Sequence, residues 1–168
     1  MTGAAAASGT RAVALRPATP EDRELLFRVY ASTREEELAP VPWPPEAKEA
    51  FLRQQFDAQD AWWRTHYPGA TFEVIVVDER EAGRLYLWEG PKEIRVVDVA
   101  ILPDARRGGV GTRLLGDVKA RAAAAGKAVT IHVEKMNPAR ALYERLGFRL
   151  VEDKGLYLFL SWGGDGVS

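Results

Sequence analysis

The order of apolar patterns predicts an α+β protein built on a mixed sheet, with elements in the order β α α β β β α β α β β. Two observations carry that expectation. Residues 71–102 read as three successive strands joined by short polar turns, which implies antiparallel neighbours. A strand–loop–helix–strand unit follows, and it requires at least one parallel crossover.

Each element has a local reason. Val13-Ala14-Leu15 is a short strand, and Thr19-Pro20-Glu21-Asp22 starts a helix with a cap, a first-turn proline and two acids at the positive dipole end. Leu25, Leu26, Val29 and Tyr30 form its apolar stripe. Prolines at 40, 42, 44 and 45 forbid helix until about Glu46, and a second helix then runs to Thr65, carrying Phe51, Leu52, Phe56, Trp62 and Trp63. Strands are expected at 71–77, 84–88 and 93–102. Leu114, Leu115, Val118 and Ala122 recur at helical spacing before Gly126, and Val129, Ile131 and Val133 alternate as a strand. Asn137-Pro138 opens a short helix that Gly147 ends, and 148–151 and 156–162 read as a final strand pair.

The chain of 168 residues is long enough to bury a core as one domain, assigned to residues 11–162. Residues 1–10 and 163–168 read as flexible tails. A net charge of −1 gives no basic field for nucleic acid, and the absence of cysteine excludes disulfides, thiolate metal sites and a cysteine acyl-enzyme. Two histidines leave little for a metal site, so none is expected. No segment approaches the ~18 apolar residues of a membrane span, and a cytoplasmic location is expected.

The chemistry concentrates in 104-DARRGGVGTRLLG-116. Here a strand ends, three glycines follow, and a helix begins near Gly109. The first amides of a helix lack internal partners, and glycines remove the side chains that would hold an anion away from them. Arg106 and Arg107 add positive charge. The physical reading is a pyrophosphate cradle, and the alternative is a tight turn with solvated arginines. The phosphate-loop pattern fails because no lysine and hydroxyl residue follow Gly116, and the dinucleotide fingerprint fails at Leu114.

Arg106-x-x-Gly109-x-Gly111, preceded by VAILP and followed by Leu114-Leu115, resembles the acyl-CoA loop of the GNAT N-acetyltransferase superfamily. Asn137-x-x-Ala-x-x-x-Tyr143-x-x-x-Gly147-Phe148 resembles that superfamily's next helix. One departure is Arg107, where the family often has glycine. The resemblance implies transfer of an acetyl group from acetyl-CoA to a primary amine by direct attack. It implies cofactor contacts at Ile101, Leu102, Arg106, Arg107, Gly108, Gly109, Val110, Gly111, Thr112, Asn137 and Tyr143. Ile101 is the expected main-chain contact to the acetyl carbonyl, and Tyr143 the expected donor to the leaving thiolate. Asn137 is equally a helix cap, and Tyr143 read from spacing alone is equally a packed aromatic.

An attacking alkylamine must first lose a proton, so an acceptor is needed. Asp98 on the strand before the loop is the candidate, with Glu73 as rival and a plain ion-paired aspartate as the alternative. Glu35-Glu36-Glu37 reads as an acidic rim for a cationic acceptor or as a solvated helix end, with Glu37 nearest the proline-rich loop. Trp43, in that loop, is the preferred pocket wall, and Trp63 is assigned to the core. His66 and His132 receive no role. The expected partner is a small-molecule or protein amine, with neither nucleic acid nor membrane. A homodimer is compatible with the sequence, and a non-catalytic acyl-CoA-binding module is the alternative function.

Overall fold

The computed structural model describes residues 11–164. The tail expected at 1–10, and residues 165–168 of the tail expected at 163–168, lie outside the described residues. Strands β1 (Val13–Pro17), β2 (Thr71–Val77), β3 (Arg80–Glu89), β4 (Glu93–Ile101), β5 (Ala128–Glu134), β6 (Arg149–Asp153) and β7 (Tyr157–Trp162) form one sheet in the order β1-β2-β3-β4-β5-β7-β6. The helices are α1 (Arg23–Leu38), α2 (Pro45–His66), α3 (Val110–Ala124) and α4 (Arg140–Arg145), with 3-10 turns at Pro20–Asp22 and Pro103–Ala105. The expected element order holds throughout, and the one parallel pairing is β4 with β5.

Two apolar clusters cover the two faces. On one face α3 seats Val110, Leu114, Leu115, Val118 and Ala122 against Ile94, Val96, Val129, Ile131 and Val133 of the central strands. On the other, α1 buries Leu25, Leu26, Phe27, Val29 and Tyr30 around Phe56 of α2. Each buried Val, Leu, Ile or Phe among them contributes ~1.5–3 kcal/mol on leaving water. Phe56 meets Phe27 and Tyr30 with ring centroids 5.8 Å apart in each case. It is the one α2 residue that is fully buried; Phe51, Leu52 and Trp63 are half-covered and Trp62 is 52% exposed. The helical stripe expected on α2 is therefore a partial cover, leaving aromatic surface beside the sheet.

The central strands separate in a way that positions the site. β4 and β5 pair from Glu93↔Ala128 only as far as Val96↔Ile131. At the same level β4 carries a bulge: Tyr86 pairs with Asp98 and Leu87 with Val96, so Val97 has no partner on β3. An extra residue bends the bulged strand and increases its local twist. Beyond it, residues 97–99 of β4 are half-buried, with a gap on the side where β5 no longer pairs. No helix among the described residues is long and apolar enough to cross a membrane.

Candidate active site

The gap between β4 and β5 opens into a cavity of about 520 Å³. Asp98 lines it from β4, Asn137 and Tyr143 from the β5–α4 side, and Trp62, Trp63 and Tyr67 from α2 and its end. These elements come from widely separated parts of the chain. The splayed strands bring Asp98 and Tyr143, 45 positions apart in sequence, to one space.

Tyr143 is 4% exposed, its ring packed edge-on against Phe148 at 5.8 Å. Burial first, and then the Asp98 charge, push its phenol well above the ordinary tyrosine value. The hydroxyl therefore keeps its proton throughout the physiological range. Both readings of Tyr143 are compatible with this geometry, since it is packed and also borders the cavity.

Asp98 does not stand alone. Its Oδ2 accepts a 2.6 Å bond from Nε of Arg84, a β3 residue only 3% exposed. The Arg84 guanidinium lies 5.2 to 5.8 Å from the ring centroids of Tyr30, Trp63 and Tyr86. A buried cation needs such partners, because without them its desolvation cost would be large. No motif in the sequence points to Arg84. A signal was present all the same, as the arginine opens an otherwise apolar strand run, Arg84-Leu85-Tyr86-Leu87-Trp88.

The glycine loop sits at the far end of β4. Gly108 and Gly109 adopt φ of +86° and +73°, and Gly109 precedes the first residue of α3. A Cβ at Gly109 would meet nothing within 4 Å. Its left-handed conformation and open approach are what an exposed amide cradle requires. Gly111 differs: a Cβ there would come within 3.2 Å of Leu142 Cδ2, so this glycine serves the packing of α3 against α4. The first helical bond runs from the Arg113 amide to the Gly109 carbonyl at 2.9 Å. The amides of Val110, Gly111 and Thr112 thus have no carbonyl one turn earlier to pair with. Arg106 donates through Nε to the Ile101 carbonyl at 2.7 Å, and the Arg107 carbonyl accepts a 3.4 Å bond from Arg11. Leu102 donates its amide to the Ala82 carbonyl at 2.7 Å, fixing where β4 ends.

Asn137 Oδ1 accepts from the Ala139 amide at 2.8 Å, closing a local turn. The helix itself starts at Arg140, two residues later than Asn137-Pro138 suggested, so this is a turn and not a helix cap. Trp43 lies outside the cavity, 44% exposed and edge-on to Phe51 at 5.5 Å. The α2 tryptophans, Trp62 and Trp63, take the wall position instead. Glu37 is ion-paired to Arg34 at 3.0 Å, and Glu35 lines a separate groove between α1 and α2. Glu73, on β2, is also outside the cavity. His132, given no role from sequence, lines the cavity with Arg34, Arg95 and Lys154.

Comparison with known proteins adds to the geometry. Residues 68–150 match the family described as "Acetyltransferase (GNAT) domain". This segment is a GNAT acetyltransferase domain. It contains the splayed strands, the glycine loop and Tyr143. The fold likeness extends further. PaiA N-acetyltransferase from Thermoplasma acidophilum, solved with coenzyme A, superposes with a TM-score of 0.69 at 16% identity, over 90% of this chain and 99% of that one. An acetyltransferase from Thermus thermophilus gives 0.66 at 22% identity, over 90% and 96%. Campylobacter jejuni PseH, an N-acetyltransferase solved with acetyl coenzyme A, gives 0.58 at 15% identity, over 90% and 99%. At these identities the likeness establishes the fold, and it carries α1 and α2 into the same architecture as the acetyltransferase domain. A search of curated protein sequences returns no match.

Proposed function

We propose that this acetyltransferase moves an acetyl group from acetyl-CoA to a primary amine by direct attack within a ternary complex. The observation that carries the reading is the parting of β4 from β5 after Val96 and Ile131, with Asp98 and Tyr143 bordering the resulting cavity. The residues present fit the cofactor. The left-handed Gly109 leaves its flank open at the start of α3, and the free amides of 110–112 with the nearby Arg106 and Arg107 suit a pyrophosphate. Residues 97–101, beyond the last pairing with β5, offer backbone groups to an amide-bearing arm.

The co-substrate supplies an already activated thioester, so no enzyme nucleophile is required. Tyr143, held protonated by burial, offers its hydroxyl as a hydrogen-bond donor to a departing thiolate. A proton-transfer role is disfavoured, because a phenol raised above its usual value gives up its proton less readily than the ~8.5 of a thiol demands. Asp98, anchored through one oxygen by Arg84, orients the acceptor ammonium and takes its proton directly or through water. The aromatic wall of α2 restricts water around the attacking amine.

The test is titration calorimetry with acetyl-CoA, followed by a thiol-release screen across amines. Binding with release supports the reading. Binding without release for any amine would leave an acyl-CoA-binding module, and no binding would remove the cofactor assignment.

A further inference from the structure

We infer that the acceptor end of the cavity selects a primary amine that also carries a carboxylate, held by Lys154 at the β6–β7 turn. This inference rests on the acetyl-transfer reading and names its acceptor class. The charges around the cavity are not all engaged in ion pairs. Of the carboxylates lining it, Asp98 is paired with Arg84, and Glu134 lies 3.8 Å from Arg34, which also pairs with Glu37. Of the cations, Arg95 is spent on Glu93 at 2.9 Å, Thr130 at 2.7 Å and the Tyr67 hydroxyl at 3.1 Å. Lys154 is different. Among the described residues no carboxylate stands within ion-pair distance of its ammonium.

The Lys154 Nζ lies 3.2 Å from Nε2 of His132 and 5.3 Å from the Phe159 ring centroid. An ammonium can only donate, so His132 Nε2 accepts and the neutral ring carries its proton on Nδ1. Arg95 stands over the same Phe159 ring at 5.3 Å, and His132 stacks on it at 4.8 Å. Burial first, and then the charges of Arg95 and Lys154, hold His132 below its usual value despite Glu93 and Glu152 nearby. The turn that presents Lys154 is fixed by its own amide on the Tyr157 carbonyl at 2.8 Å and by the Gly155 amide on Asp153 at 2.9 Å. A single ammonium with no ion pair offers one positive charge, which favours a carboxylate over a phosphate dianion.

The experiment uses ω-amino acids from glycine to 6-aminohexanoate, each matched with the n-alkylamine lacking the carboxylate. Wild type should favour the best amino acid over its matched amine by about tenfold or more in kcat/KM, through KM. Lys154→Met should collapse that ratio towards one, and Lys154→Arg should retain most of it. Calorimetry with the same compounds, at saturating coenzyme A and without it, supplies a readout independent of turnover. A preference for the plain amines, a ratio that survives Lys154→Met, or no measurable amino-acid binding would each overturn the inference. Turnover of alkylamines alone sinks the carboxylate site while sparing acetyl transfer. Carboxylate binding without any acetyl-CoA binding does the reverse.

Discussion

The two ends of the central cleft are made of different material. In the proposed reaction the glycine loop would work through backbone amides, and the requirement on the sequence would be the absence of side chains: Gly109 faces open space in a left-handed conformation. At the proposed acceptor end the working groups would be side chains from α1, α2, β4, β5 and the β6–β7 turn, and the requirement would be a particular placement of charges. Backbone sites tolerate few residue types at a few adjacent positions. Side-chain sites are assembled across the whole fold and can be rebuilt one residue at a time. The first end can therefore be damaged by a single added Cβ, whereas the second should respond gradually.

The largest effect is expected at Gly109. Gly109→Val should weaken acetyl-CoA binding by more than about a hundredfold, because a β-branched side chain in the left-handed region both strains the turn and fills the space over the amides. Gly111→Val is the control that sharpens the contrast. Its Cβ would press on Leu142, so its first symptom should be a lower Tm. Wild-type affinity in a folded Gly109→Val protein, measured by calorimetry, would remove the backbone cradle.

Next in size is Tyr143→Phe. Phenylalanine keeps the ring against Phe148 and removes only the hydroxyl. A hydrogen bond formed mainly in the transition state should lower kcat and kcat/KM together by roughly tenfold to a thousandfold, with acetyl-CoA affinity unchanged. Wild-type kcat under chemistry-limited conditions would reduce Tyr143 to a packed aromatic. Arg106→Ala should cost less, ~1–3 kcal/mol of cofactor affinity. Part of that loss is expected to come through the freed Ile101 carbonyl that Arg106 now holds. An unchanged Kd for acetyl-CoA would place Arg106 in loop architecture alone.

The same division explains what could be read in advance. The element order is legible because apolar periodicity and the Gly and Pro boundaries are local, and the glycine loop is legible as a turn into a helix because it lies within a short consecutive stretch. Tyr143 and Asp98 are candidates from sequence, and the fold brings them to one cavity. The acceptor end was not legible. A loop aromatic such as Trp43 suggests a pocket wall, yet α2 places Trp62 and Trp63 on the cavity and Trp43 packs on Phe51. The acids 35–37 suggested a rim, but Glu37 is tied to Arg34 and Glu35 faces another groove. Lys154 and His132 lie 22 positions apart, one in a turn and one on a strand, and no spacing rule joins them.

The smallest effect expected concerns stability, and it separates the two faces of the sheet. The face under α3 is held by an apolar cluster. The α1 face adds charge at its entry, where Arg16 of β1 grips Asp22 at 2.8 and 2.9 Å and the Thr19 amide donates to the same carboxylate at 2.8 Å. The Arg16 bond first, and then the Thr19 amide, hold Asp22 well below its usual 3.8. A group whose pKa is lower in the folded state binds protons less readily there than in the unfolded chain. Its stabilisation is therefore complete above about pH 4 and declines as pH falls through the folded-state value. Because Arg16 is 36% exposed, solvent screening limits the contribution to ~1 kcal/mol. In urea melts, Asp22→Asn should be less stable than wild type at pH 7, with the gap narrowing steadily between about pH 4 and 2. Hydrogen exchange should show the narrowing in α1 before α3. A gap independent of pH would mean that Asp22 acts through turn geometry alone, and that the two faces do not differ in their dependence on charge.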